Sequence, residues 1–311
     1  MTTRSEAEHG RPDRSPHALM GERRRLINLA YRLLGSLAEA EDAVQETYAR
    51  WYAMSPQARD AVRSPAAWLT TVAGRVCLNV LSSARVRRER YVGEWIPEPI
   101  PQHGAWIGGR PGGVSADPAD RVTLDESVNM AFLVILESMT PAERVTFILH
   151  DIFCHPFTEI AHIIGRTPAA CRQLATSARR RIHTAQTPTT PATHNKAALI
   201  RDFKHAWEAK DINALINLLD PNATATADGG GVVGAVLRPI EGAAEIARSL
   251  LRLDGRLRAL TLLERTVNGQ PGLVAELDGV TVSVYAFEFA GDRIRRIWAV
   301  RNPGKLRAWK A

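Results

Sequence analysis

The 311-residue sequence has three cysteines, Cys77, Cys154 and Cys171, scattered and without CxxC spacing. Such a set excludes a disulfide framework and a zinc ribbon, and it fits a reducing cytoplasm. No apolar run is long enough to span a bilayer, so no membrane association is expected. The opening "MTTRSEAEHGRPDRSPH" lacks the apolar stretch of a secretion signal and reads as a disordered polar tail over residues 1–18. Catalytic acid–base spacing and metal-ligand motifs are also missing, so neither catalysis, metal nor cofactor is expected.

A phosphate loop is absent too, although "ATADGGGVVGA" resembles one at first sight. A P-loop needs Lys and then Ser or Thr after its last glycine, and a dinucleotide fingerprint needs G-x-G-x-x-G between strand and helix. Here Val232-Val233 follow Gly231, so no cation waits for a phosphate. Gly229, Gly230 and Gly231 instead allow left-handed backbone and close approach of another surface, and Asp228 can accept hydrogen bonds from it.

What is present is a modest basic excess, +7 with pI ≈ 9.7, spread over both halves of the chain. The partner must therefore be argued from local clusters. Breaker-rich stretches divide the chain into helical segments at 19–92 and 120–186, a Pro/Gly-rich linker at 93–119, a short linker at 187–195 and a mixed segment at 196–311.

In the first segment Ser36 and Glu39 form a capping-box pattern, and Leu37, Ala40, Ala43, Val44, Thr47, Tyr48 and Trp51 make a helical apolar stripe. Asp42, Gln45 and Glu46 lie on the opposite face. A second helix opens at Ser64-Pro65 and exposes Thr71, Arg75, Asn79 and Ser82, then runs into Arg85, Arg87, Arg88, Arg90 and Tyr91. A solvated helix end has this composition, and so does a surface that tracks a phosphate backbone. The second segment carries cap, proline and acid at Thr140, Pro141 and Glu143, then two helices about a Gly165 turn. Its last helix presents Arg172, Gln173, Thr176, Arg179 and Arg180, with five arginines and no acid between Gly165 and Gln186. This is a helix-turn-helix pattern with donors suited to base edges and phosphates. A helical hairpin with a basic solvated face is the alternative.

Taken in order, "LINLAYRLLGSLAEAEDAVQETYARWY", "AAWLTTVAGRVCLNVLSSAR" and "MTPAERVTFILHDIFCHPFTEIAHIIGRTPAACRQLATSARRRI" resemble regions two and four of an extracytoplasmic-function sigma factor. "WIPEP" stands where a subgroup carries a "WLPEP"-like motif. Asp228–Gly231 and Asn302-Pro303-Gly304-Lys305-Leu306 stand where it carries "DGGGK" and "NPDKL" in a SnoaL-like, nuclear transport factor 2-like extension. The resemblance implies two all-α sigma domains plus an α+β cone. It implies promoter-directed transcription initiation with core RNA polymerase, bound through its beta-prime clamp helices, and with promoter DNA. Asp42, Gln45 and Glu46 would meet polymerase. Arg75, Asn79 and Ser82 would meet flipped −10 bases, with Arg85, Arg87 and Arg88 on the backbone. Arg172, Gln173 and Thr176 would read the −35 element, with Arg179 and Arg180 on phosphates. The linker, with Glu94, Trp95, Pro97, Glu98 and Pro99, would thread the polymerase channel, its acids imitating nucleic acid.

Val232 departs from the subgroup's Lys, Gly304 from its acid, and Arg75 from an Asn common among sigma factors. In the third segment Leu199, Phe203, Ala206 and Trp207 face inward, followed by a helix near 242–253 and four strand patterns after Arg258. The cone is expected to regulate the sigma regions in cis, its DGGG loop lying against region two and the WIPEP linker, and to offer space for a small ligand. A cyclase or isomerase fused to a DNA-binding module is the alternative, with Asp228, Glu276, Glu288 and His205 as available groups. A one-component repressor is a third reading, in which the free protein binds operator DNA without polymerase.

Overall fold

The computed structural model describes residues 16–88, 91–101, 128–185, 196–256 and 260–310, and of 16–20, 84–88 and 254–256 the backbone alone. The expected tail 1–18 and the linkers 93–119 and 187–195 thus fall largely outside the described residues. Chain order begins with helices α1 (Pro16–Leu34), α2 (Leu37–Ala53), α3 (Pro56–Asp60) and α4 (Pro65–Arg88). Among the described residues helix α1 begins at Pro16, inside the stretch expected to be tail.

Gly35 ends α1 in a left-handed conformation, and its N–H returns to the Tyr31 carbonyl at 2.7 Å. Ser36 then caps α2 through the Glu39 N–H, and the buried stripe is Leu37, Ala40, Ala43, Val44, Thr47 and Trp51. Tyr48 is only partly covered.

The second helical segment holds α5 (Met130–Glu137), α6 (Pro141–Phe147), α7 (Phe157–Ile164) and α8 (Pro168–Ala185). The Thr140–Glu143 capping box forms in both directions, fixing the start of α6. A π turn over Ile148–Ile152 ends it, and Gly165 at φ 67° makes the corner between α7 and α8.

These two helical segments are not separate beads. Leu26, Tyr31, Val76 and Leu81 of the first belong to the same buried cluster as Leu133, Leu149, Ile160 and Ile163 of the second. Gly74 lets α4 and α7 meet, since a methyl there would sit 3.0 Å from Ile163. Arg144 of α6 is 2% exposed, pairs with Glu137 at 2.6 Å and donates to the Arg32 carbonyl of α1. Burial pulls its guanidinium down to about 9, although Glu39 holds it upward. Removing such a cation from its partners is costly, so it pins one segment onto the other.

The third segment has α9 (Lys196–Glu208), α10 (Ile212–Leu218), α11 (Ala243–Arg256) and strands β1 (Leu219–Asp228), β2 (Ile240–Glu241), β3 (Leu260–Val267), β4 (Gln270–Leu277), β5 (Val280–Ala290) and β6 (Arg293–Val300). The sheet order is β2-β1-β6-β5-β4-β3, with β1 and β6 parallel and the other neighbours antiparallel. β1 was not among the sequence expectations. Its "LDPNATATAD" has Pro and Asn near its start and, after Leu219, no large apolar side chain, so tertiary pairing with β6 overrides weak local propensity.

Helices α9 to α11 cover one face, around Phe203, Trp207, Tyr285 and Phe287. The opposite face buries Val274, Val284, Ala286, Trp298 and Val300 against Ile96 of the linker and Met130 of α5. The sheet is thus a shared wall between its own helices and the first two segments.

Replacing Gly74 by Leu should force α7 off α4 and lower the stability of the full chain by roughly 1–3 kcal/mol through overpacking. Chemical denaturation checks this, and an unchanged midpoint would show that the two helices do not meet there.

Candidate functional site

Two surfaces gather the residues singled out by the sequence. The first lies along α4 and α8. Arg75, Asn79 and Ser82 are exposed, as read from the helical period. Arg75 nevertheless donates to the His162 carbonyl of α7 at 3.0 Å, and the Ser82 hydroxyl is turned back to the Leu78 carbonyl. The side chains of Arg85, Arg87 and Arg88 lie outside those described. On α8, Arg172, Gln173, Thr176, Arg179 and Arg180 all face solvent. Arg172 lies over the Phe157 ring at 5.7 Å, and Arg179 pairs with Asp151 at 2.7 Å. Asp42, Gln45 and Glu46 form an exposed stripe on α2, where Glu46 also pairs with Arg50.

The second surface is a clasp on residues 91–101. The Asp228 carboxylate, wholly buried at the end of β1, accepts from Lys305 Nζ at 2.7 Å and from the Ile96 N–H at 3.1 Å. Its other oxygen accepts from the Tyr91 hydroxyl at 2.6 Å and the Gly230 N–H at 3.0 Å. Lys305 also donates to the Ile96 carbonyl and stands over the Trp95 ring at 4.0 Å. Asn302 donates to Tyr91 Oη at 2.8 Å and caps the turn Pro303–Lys305 through the Gly304 N–H. Burial and Asp228 together hold the Tyr91 phenol well above its ordinary range.

The three glycines serve this closeness. A side chain on Gly230 would collide with the Asn302 amide, and one on Gly229 with the Val233 carbonyl. A methyl on Gly231 would lie 3.1 Å from Val92, next to the end of α4. Val232, where the resemblance led to a lysine being expected, is 77% exposed, and the cation that Asp228 receives is Lys305.

Further along, the same strap is tied to the first segment. The Glu98 carboxylate is 3% exposed and accepts from the Leu37 N–H at 2.8 Å and the Ser36 hydroxyl at 3.1 Å. The carboxylate that completes the α2 cap therefore comes from Glu98 in addition to the local pattern of Ser36 and Glu39. Burial pushes the Glu98 carboxyl up, opposed by those hydrogen bonds and by Lys305. Pro97 and Pro99 are buried, and Trp309 Nε1 donates to the Pro99 carbonyl at 2.8 Å. In this arrangement the acid expected to lie open in a channel is enclosed, because Glu98 satisfies a helix N-terminus.

Sequence reasoning missed Asn268. It sits at φ 50° in the Asn-Gly turn between β3 and β4. Its amide accepts from the Ile100 N–H and donates to Tyr31 Oη and the Val128 carbonyl, joining strap, α1 and the approach to α5. The pair Asn-Gly announces only the turn.

Residues 19–88 match the family Sigma-70 region 2, and residues 129–182 match Sigma-70, region 4. The chain is 34% identical over 306 residues to the ECF RNA polymerase sigma factor SigJ of Mycobacterium tuberculosis, covering 91% of this chain and 90% of that one. The chain belongs to the ECF RNA polymerase sigma factors. A second relative, the probable ECF sigma factor SigI of the same species, is 36% identical over 284 residues, covering 90% and 91%. The crystal structure of M. tuberculosis SigJ superposes with a TM-score of 0.71 at 31% identity, over 94% of this chain and 99% of that chain.

This sigma factor thus has helical regions two and four and a C-terminal helix-and-sheet domain that grips the strap between them. Of the groups considered for catalysis, Asp228 faces the strap, Glu276 lies on β4 opposite Thr281, Glu288 pairs with Arg296 at 3.1 Å, and His205 is exposed on α9. Among the described residues no helix is long and apolar enough to cross a membrane.

Lys305→Met should strand a fully buried carboxylate and cost about 3–5 kcal/mol. The full chain's denaturation midpoint reads this loss, and the double change with Asp228→Asn should restore part of it. A midpoint unmoved by Lys305→Met would dissolve the clasp.

Proposed function

We propose that this sigma factor is stored in a closed arrangement that its C-terminal domain holds in cis, and that it opens on core RNA polymerase and promoter DNA. The observation that carries this is the packing of α7 onto the −10 helix α4, with Arg75 engaged by the His162 carbonyl. The −10 and −35 elements lie, as their names say, about 25 base pairs apart, roughly 85 Å of duplex at 3.4 Å per step. Helices that touch one another do not reach both elements at once, so regions two and four must part before both are read.

In the open state Asp42, Gln45 and Glu46 supply an acidic, polar patch for the basic clamp helices of polymerase, where complementary charge favours encounter. Arg75, Asn79 and Ser82 serve the unstacked −10 bases, and Arg85, Arg87 and Arg88 the backbone. Arg172, Gln173 and Thr176 read the −35 edges, with Arg180 and, after release from Asp151, Arg179 on phosphates. The clasp at Asp228, Tyr91, Ile96 and Lys305 governs how readily the strap leaves, and because it acts within one chain it works at high effective concentration. The setting of this activity is the cytoplasm.

Transcription in vitro with purified core polymerase separates these elements. Truncation after residue 186 should change promoter-dependent output several-fold, and equal output would remove the regulatory role. Arg172→Ala should reduce the preference for a matched over a mismatched −35 element by about tenfold, equivalent to a single lost base contact. Uniform loss on all sequences would make Arg172 a phosphate contact only.

A further inference from the structure

The π turn that ends α6 delivers two side chains to α8. Asp151 accepts from Arg179 Nε at 2.7 Å, and His150 Nδ1 stands 3.3 Å from Arg179 Nη2. A guanidinium can only donate, so the imidazole nitrogen that faces it is the acceptor. The His150 ring also stacks on Phe157, with centroids 3.9 Å apart and planes 13° from parallel. Phe157 is the first residue of α7, and the Arg172 guanidinium lies over its ring at 5.7 Å.

A chain of contacts thus runs from Asp151 through Arg179, His150 and Phe157 to Arg172. The two arginines are seven residues apart on α8, two turns along one face and about 10 Å of axis. The π turn and the start of α7 brace both of them.

The bracing differs in kind, and the difference decides what each arginine can do. Arg179 engages its Nε and one Nη with Asp151 and His150. Arg181 likewise stands 3.6 Å from Glu143. Arg172 is exposed, and among the described residues no carboxylate pairs with it. A ring restrains a guanidinium through its flat face and leaves the N–H edge free. A carboxylate would occupy that edge and cancel the charge. The free edge is the fork that fits O6 and N7 of guanine in the major groove. Phe157 suits the task, because it is half-buried and packs against the buried helical cluster, which fixes the ring.

We propose that Phe157 is a positioning residue for promoter selectivity: stacked on His150, it holds the Arg172 guanidinium with its donor edge toward a guanine of the −35 element. This rests on the reading of Arg172 as a −35 contact, and adds to it the base and the ring that aims the contact. An unrestrained arginine loses rotamer freedom when it meets a base, and the ring removes part of that loss in advance. All of these residues belong to region four, so the arrangement stays whole when regions two and four part.

Complexes of the full chain with core polymerase first select their promoter from DNA randomised over the −10 and −35 elements. Each G·C pair of the selected −35 element is then changed to A·T, and output in vitro is compared between the two templates. One such change should lower output about tenfold, and Arg172→Ala should abolish that dependence. Phe157→Leu keeps an apolar side chain but removes the ring. It should shrink the same guanine dependence about two- to fivefold, as loss of an exposed cation–π contact does. Phe157→Tyr keeps the ring and should keep the dependence. In the Arg172→Ala background, Phe157→Leu should change the ratio no further. Loss of folded protein lowers output on both templates alike, so a merely structural Phe157 leaves the ratio unmoved. An unchanged ratio with Phe157→Leu, or an equal fall with Phe157→Tyr, would overturn the inference while Arg172 remains a base contact. A guanine dependence that survives Arg172→Ala would overturn the −35 reading as well.

Discussion

The grip of the C-terminal domain on the strap depends on the buried ion pair of Asp228 with Lys305. A carboxylate at 0% exposure is tolerable only when every lone pair is answered. Here Lys305, Tyr91, and the N–H groups of Ile96 and Gly230 answer it. Two of these four donors belong to the strap between the sigma regions and two to the C-terminal domain. The domain therefore cannot satisfy its own buried acid, and the strap completes it. This dependence makes the contact specific in a way that an apolar seam alone is not, since sliding the strap by a residue would orphan a charge.

The strap acts as a structural hub because it is short of internal hydrogen bonds. Prolines at 97, 99 and 101 remove donors and hold the backbone extended. The carbonyls and remaining N–H groups are left for neighbours to use, and Tyr31, Gly35, Lys305, Asn268 and Trp309 take them. What reads as a spacer in composition is therefore a strip of backbone shared by three bodies. Glu98, expected to thread the polymerase channel, caps α2 here because the extended strap passes that helix's N-terminus, where the Leu37 N–H donates to it.

Much of this organisation is legible along the chain. The stripes of α2 and α8, the Thr140 capping box, the Gly165 corner and the four last strands all obey local rules of period, cap and turn. The contact of the Asp228–Gly231 loop with the WIPEP strap is expected only from the family resemblance that those motifs carry. Three things are not. β1 owes its strand form to β6, far along the chain. The roles of Asn268 and Tyr31 arise only when the hairpin is laid on α1. The merging of regions two and four into one core hides behind ordinary apolar stripes, whose sequence says that they are covered but not by what. Arg144 shows the limit most clearly, since an arginine in a first helical turn looks solvated until its neighbour is in place.

The parallel pairing of β1 with β6 also sets an order in time. Asp228 ends the first strand of its sheet, whereas Val300 opposite it and Lys305 beyond it come after every other strand. Both sigma regions leave the ribosome before any of that wall is made. During synthesis regions two and four are therefore a pair without a latch. The latch closes only when the last strand has found the first, so each newly made molecule passes once through the unfastened form.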